Sequence, residues 1–320
     1  MTSPASAAST SAATVAQSAP IDLARVRRLF ADPQRLGESA FLRREIALRM
    51  QERLALVKLS PQRVLDAGCG EGADLPALQQ RFGAAHVIGL DAAPAMVAHA
   101  EAIQRAGSSA LRNWMAHWVP TGLQSRQHLA ANLVCGDFAQ LGLPAQSLDL
   151  VWSNLALHWH PSPDRVFAEW RRVLRVDGLL MFSCFGPDTF KELRAAFDSV
   201  DDSPHALPFV DMHDFGDMLV ESGFATPVMD METITVTYAD VDKLLAEVRA
   251  LGGNPLTSRR RGLMGRRSWH RAKQHLEQLR GADGAIALTF EVIYGHAFRP
   301  VSTTTARGES IVRLDFPARR

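Results

Sequence analysis

From Ile21 to Val57, the apolar residues Val26, Phe30, Phe41, Leu42, Ile46, Met50 and Leu54 recur mostly three or four positions apart, with arginines between them. That period is helical. Pro33 and Gly37 interrupt it, so the spacing predicts a short helix, a break and a longer helix. After Pro61 the pattern changes to short apolar runs alternating with helical stretches. Arg63-Val-Leu-Asp-Ala67 reads as a strand ending in Gly-Cys-Gly-Glu-Gly. A helix over 73–82, a strand over 86–91 and a helix over 94–105 follow. Residues 107–130 read as an insertion containing Trp114 and Trp118. Further strands are predicted over 132–135, 148–153 and 179–185, with a helix over 163–174 before the last. Beyond Gly186 the rhythm loosens. Helices are expected over 188–200 and 212–222, and alternating strands over 233–238 and 288–294.

Strands alternating with helices through short connections argue for an α/β, doubly wound parallel sheet. The chain divides into a leader over 1–20, an N-terminal helical cap over 21–60, a core over 61–186, and a segment over 187–320 with a lid, the last strands and a basic stretch. The leader is mostly Ala, Ser, Thr and Pro without charge, which reads as disordered. It has neither the basic start of a secretory signal nor the Arg of a mitochondrial presequence.

Charge changes the picture only when it is divided. The 35 basic and 34 acidic side chains sum to +1, which excludes a uniformly basic nucleic-acid coat or an acidic tail. Residues 1–60 carry 9 bases and 5 acids, residues 61–250 carry 13 and 24, and residues 251–320 carry 13 and 5. An acidic body thus lies between two basic ends. Three well-separated cysteines suggest neither zinc nor a disulfide framework, and point to a reducing, cytoplasmic setting. No apolar run approaches the roughly 18 residues of a membrane span.

Candidate chemistry gathers at the ends of the strands. In Asp66-Ala-Gly68-Cys-Gly70-Glu-Gly72 the glycines let the backbone approach a ligand closely. Gly68, Gly70 and Ala73 alone satisfy a dinucleotide pattern. Asp91 ends the second strand, where a carboxylate can bind both ribose hydroxyls. Asp137 ends the third and precedes Phe138, a pair suited to the amine and ring of adenine. Ser153-Asn154 ends the fourth.

This ordered set, over roughly residues 60–186, resembles the class I S-adenosylmethionine-dependent methyltransferases. The resemblance implies a Rossmann-like, seven-stranded, mostly parallel sheet with a helical lid from Gly186 to about Leu251. It also implies S-adenosyl-L-methionine as cofactor, with the methionine part near Asp66, Gly68, Gly70 and Gly72. Asp91 takes the ribose and Asp137 with Phe138 the adenine, and Ala92, Met96 and Asn154 complete the expected set. The stretches 152–159, 185–194, 208–219 and 222–224 look like the malonyl-[acyl-carrier protein] O-methyltransferases of biotin synthesis (BioC). They also touch the mitochondrial complex I assembly proteins of the same superfamily, one of which hydroxylates an arginine. Many members carry a Tyr in the N-terminal helix, whereas this chain has Tyr only at 238 and 294.

The chemistry asks little of the acceptor side. A carboxylate is already ionised at neutral pH, so methylating one needs no general base. Alignment and exclusion of water are the main requirements. A malonyl carboxylate calls for an Arg. Arg194, Arg28, Arg43 and the run Arg259, Arg260, Arg261 are candidates. His158, just past the fourth strand, is either a base for a phenol or amine or a packing residue near Trp159. Asp188, Asp211, His213 and Asp214 read as caps and turns, and no metal is expected. Arg259, Arg260, Arg261, Arg266 and Arg267 fit an acidic acyl-carrier protein with its phosphopantetheine arm better than RNA, because no RNA-binding module accompanies them. Rival acceptors are a quinone-type small molecule or tRNA. The rival of another class is a cofactor-binding assembly factor or arginine hydroxylase acting on a protein partner.

Overall fold

The computed structural model describes residues 19–115 and 131–301. Residues 1–18 of the expected 1–20 leader, most of the expected insertion and residues 302–320 lie outside the described residues. Seven strands form one sheet in the order β3-β2-β1-β4-β5-β7-β6. β1 (Arg63–Ala67), β2 (His86–Asp91), β3 (Asn132–Cys135), β4 (Leu148–Asn154) and β5 (Leu174–Phe185) run parallel. β7 (Ile286–Phe298) inserts antiparallel between β5 and the edge strand β6 (Ala225–Tyr238). Chain order reverses between β1 and β4, and that switch point opens a crevice at the strands' carboxyl ends.

The central strands are buried on both faces, which is why they appear as continuous apolar runs. Helices cover both sides. α3 (Ala40–Ala55) lays Leu42, Ile46, Met50 and Leu54 on one face, with Leu75, Trp152 and Phe185 in the same core. α6 (Pro163–Val173) and α8 (Met212–Glu221) pack the other through Phe167, Trp170 and Phe215. α4 (Leu75–Arg81) and α5 (Pro94–Met115) complete the flanks. Among the described residues, no helix is long and apolar enough to cross a membrane.

Several elements depart from the pattern-based expectation. Ala19 and Ile21 are buried and pack with Leu207 and Leu256, so the end of the expected 1–20 leader already contributes to the fold. α5 continues about ten residues past Arg105 to Met115, which takes the first part of the insertion into a helix. β6, within the expected lid range, is more than twice as long as the strand expected over 233–238, and it alternates exposed with half-buried positions, as an edge strand does. A register shift between Ala225 and Val228 accommodates Pro227. The Arg-rich stretch ends in a helix, α10 (Arg266–Gln278), which the spacing of charges had hidden.

The N-terminal cap closes over the crevice. α1 (Leu23–Leu29) begins at Asp22, whose carboxylate accepts from Arg25 N at 3.0 Å. Just past its end, the Phe30 ring meets Trp159 edge to face at 5.2 Å. Gly252 follows α9 (Val241–Ala250) and sits against both rings with φ +124°. A Cβ there would lie 2.5 Å from Trp159 and 2.9 Å from Phe30. We predict that Gly252→Ala destabilises the protein by about 1–3 kcal/mol, from backbone strain and overpacking. Thermal or urea unfolding measures it, and an unchanged midpoint would contradict this packing.

Candidate active site

The crevice holds a cavity of about 130 Å³ between the carboxyl ends of β1, β2 and β4 and the N-terminal cap. Its floor is the glycine turn. Gly68 has φ +83°, and a Cβ on it would lie 2.3 Å from the Ala156 Cβ. Gly70, at φ +53°, has open space at that position. The turn therefore leaves a backbone surface where a ligand can approach. Leu155, just past β4, also adopts a left-handed backbone, φ 52°, which carries Ala156 toward Gly68.

Three carboxylates gather around this floor. Asp66 is buried, and among the described residues its Oδ2 has no hydrogen-bond partner. Burial first, then the charges of Asp74 and Asp91, push its carboxyl well above the usual range. Asp74 accepts from Trp152 Nε1 at 2.9 Å and from Asn154 Nδ2 at 3.1 Å. Burial raises it too, opposed by those two donors. Asp91 accepts from Gly70 N at 2.9 Å and Ala93 N at 2.8 Å, yet burial still leaves it raised. Arg43 of α3 reaches into the same wall and pairs with Glu71 at 3.1 Å.

The residues present fit S-adenosyl-L-methionine. The unpartnered Asp66 oxygen is suited to a cationic amino group, the bare turn at Gly68 and Gly70 to a closely apposed chain, and Asp91 to a diol. Ala92, Phe138 and Asn154 also line the cavity. Phe138 is held by Trp170 at 5.9 Å and by Trp170 Nε1 donating to its carbonyl. When bound, the cofactor supplies an electrophilic methyl group on a sulfonium. The chain's part is to bind it, orient it and keep water away.

Other expected residues sit elsewhere. Gly72 lies outside the cavity wall, where a Cβ would meet Leu75 and Ala100, so it serves packing. Met96 is fully buried with Ala93 behind the wall, and Phe30 packs against them. Asp137 is exposed beside the cavity, its Oδ1 capping Ala139 N at 2.8 Å. The Arg194 guanidinium donates to the carbonyls of Pro187 and Thr189, fixing the loop before α7 (Lys191–Asp198), and Arg194 is not among the residues lining this cavity, so its geometry favours a role in holding the loop over positioning a substrate. Glu291 holds the same loop through Asp188 N at 2.8 Å.

The pattern-based reading missed Asp74 and the wall formed by Phe30, Ser39 and Leu251. Asp74 had one available signal. It lies just past the glycine turn, and Trp152 is the β4 partner of Asp66 in register. His158 lines the cavity, buried, with neither ring nitrogen hydrogen-bonded among the described residues. Trp159, Phe185 and Phe209 surround it at 4.9, 5.1 and 5.6 Å. Burial lowers its pKa from 6.5 to about 3. These surroundings favour the packing reading of His158 over the base reading.

Two outcomes follow. Asp91→Ala removes an acceptor that also fixes the Gly70 turn, and should raise the cofactor dissociation constant at least roughly tenfold, as loss of a charged hydrogen-bonding group does. Titration calorimetry showing unchanged affinity would contradict the assignment. His158 stays neutral in the fold but takes a proton once unfolded, so its contribution to stability is intact above pH 6.5 and is lost as pH falls from there toward about 3. His158→Phe should therefore flatten the acid-side decline of stability relative to the unsubstituted chain. Parallel pH–stability curves for the two proteins would refute it.

A family profile described as a methyltransferase domain matches residues 65–182. The chain is 47% identical to a malonyl-[acyl-carrier protein] O-methyltransferase of Laribacter hongkongensis (strain HLHK9), over 82% of this chain and 84% of that protein. It is 45% identical to one of Gallionella capsiferriformans (strain ES-2), over 87% and 91%. The fold is similar to the YcgJ protein from Bacillus subtilis, with TM-score 0.52 and 15% identity over 79% of this chain and 98% of that one. It is also similar to a putative methyltransferase from Bacillus halodurans, with TM-score 0.51 and 17% identity over 80% and 99%. These last two show the architecture alone. The identity and coverage of the first two go further: this chain is an S-adenosyl-L-methionine-dependent methyltransferase and belongs to the malonyl-[acyl-carrier protein] O-methyltransferase family.

Proposed function

We propose that the protein methylates the free carboxylate of a malonyl thioester carried on acyl-carrier protein, an early step of biotin synthesis in the cytoplasm. The acceptor side of the cavity supports this reading most directly. Past β4 the wall is Leu155, Ala156, His158, Trp159 and Phe185. The titratable group in that stretch, His158, stays neutral down to about pH 3. So weak a base is a poor proton acceptor for a phenol or an amine. A carboxylate arrives already ionised and needs only alignment and a dry site. Methylation then removes a charge that is costly to bury in an apolar channel downstream.

The basic run supports a carrier protein as the other half of the substrate. Arg261, Arg266 and Arg267 are exposed. Arg259 donates to the Leu256 carbonyl at 2.9 Å, and Arg260 pairs with Asp201 at 3.0 Å, so these two also hold their own loop. Arg260 is exposed as well, but Arg261, Arg266 and Arg267 lie outside these contacts and can meet an acidic surface, where such charges act mainly on encounter.

Labelled S-adenosyl-L-methionine incubated with malonyl-carrier protein should give a labelled carrier, and mild base should release the label as methanol. No transfer would sink this function. Reversing Arg261, Arg266 and Arg267 to Glu should raise the KM for the carrier about tenfold or more, while cofactor affinity stays constant. An unchanged KM would remove the basic run from the docking face.

A further inference from the structure

A second cavity, of about 180 Å³, lies beside the first and is used by none of the cofactor residues above. Trp159, Phe185 and Leu251 line both, so the two cavities share one wall. That wall is the acceptor side of the first cavity. The interior of the second is apolar. Phe190, Leu193, Leu207 and Leu245 are all buried within it. Its polar lining residues are His205, Arg249 and Asn254, of which Arg249 is exposed and marks the open end. The Arg249 guanidinium lies 5.4 Å from the ring centre of Trp269, which lines the same opening.

This opening is tied to the basic run. His205 Nε2 lies 2.9 Å from Asp201 Oδ1, and Asp201 Oδ2 takes Arg260 at 3.0 Å. His205 is also stacked on Phe197 at 4.4 Å, which fixes the rim. Asn254 accepts Arg25 at its carbonyl and donates to the Pro204 carbonyl, so both sides of the opening are pinned. The basic run thus adjoins the mouth of an apolar passage through the Asp201–Arg260 pair, and the passage ends against the wall it shares with the first cavity.

We infer that the second cavity is the passage for the acceptor's thioester arm, entered between α9 and the 201–207 segment and bordering the first cavity at its inner end along Trp159 and Phe185. The inference rests on the proposed function, because it takes the acceptor to be a short carboxylate on a long, mostly uncharged arm. The charge change along the path matches such a molecule. The acidic body of the carrier stays outside on the arginines, and the arm passes the apolar lining. A free small molecule needs neither the passage nor the basic rim.

The test uses the full chain and malonyl-carrier protein. Transfer by the unsubstituted enzyme decides the proposed function first. If that enzyme is inactive, both the function and this inference fall. If it is active, Ala206→Trp, which fills the passage, should lower kcat/KM for the carrier-borne acceptor about tenfold or more, as loss of a fitted pocket does, with cofactor affinity unchanged. Equal activity in a folded Ala206→Trp protein overturns the inference alone. A second variant does not depend on filling. A carrier whose arm ends in a chloroacetyl group should alkylate Val248→Cys, its thiolate displacing chloride to form a thioether, and should do so faster than it alkylates the unsubstituted chain. No excess adduct would also overturn the inference.

Discussion

Three carboxylates buried at one end of a parallel sheet set the terms for everything around them. Asp66, Asp74 and Asp91 are held within the same crevice, and burial disfavours the charge of each. Donors are distributed unequally among them. Asp74 has an indole and an amide, and Asp91 has two backbone N–H groups. Asp66 keeps one oxygen without a partner among the described residues. A buried polar atom left this way costs stability unless something else satisfies it. In the proposed assignment a cationic cofactor supplies the missing charge, and the bare glycine turn leaves room for it to approach.

The cover follows from the same requirement. Electrostatic interactions of this kind are strong only where water is kept out. Phe30, Trp159 and Gly252 lock the N-terminal cap, β4's end and the end of α9 against one another. Each comes from a distant part of the sequence, so the cap is a tertiary feature and not a separate unit. The loop over 186–190 is fixed from beneath by Glu291 and Arg194, which places Phe185 and Phe190 as walls. Hydrogen-bonded and closely packed walls around two adjoining cavities suit a displacement whose main demand is alignment.

The sheet and its strand ends were legible in the chain because buried parallel strands leave apolar runs, and because acids and glycines at their ends break those runs in a fixed order. Asp66, Gly68, Gly70, Asp91 and Phe138 all face or flank the cavity for that reason. What could not be read was set by long-range packing. Asp74 looks like a helix-start residue until Trp152 and Asn154, roughly eighty positions away, are brought to it. Arg194 looks like a free anion binder until its neighbouring carbonyls claim it. β6 hides behind exposed alternate positions and a proline, and α10 behind its arginines. Met96 and Gly72 carry the right spacing but turn their side, or their lack of one, toward the core.

The central claim is that Asp66 is a buried carboxyl waiting for a cation. Burial and the neighbouring carboxylates raise its pKa in the free protein, and the proposed pairing with the amino group of S-adenosyl-L-methionine favours the charged form. The most direct measurement is titration calorimetry of cofactor binding over a series of pH values, in buffers of different ionisation enthalpy, for the unsubstituted chain and for Asp66→Asn. The account predicts net proton release on binding to the first and its loss in the second. Binding without proton release, or equal release by both proteins, would contradict it.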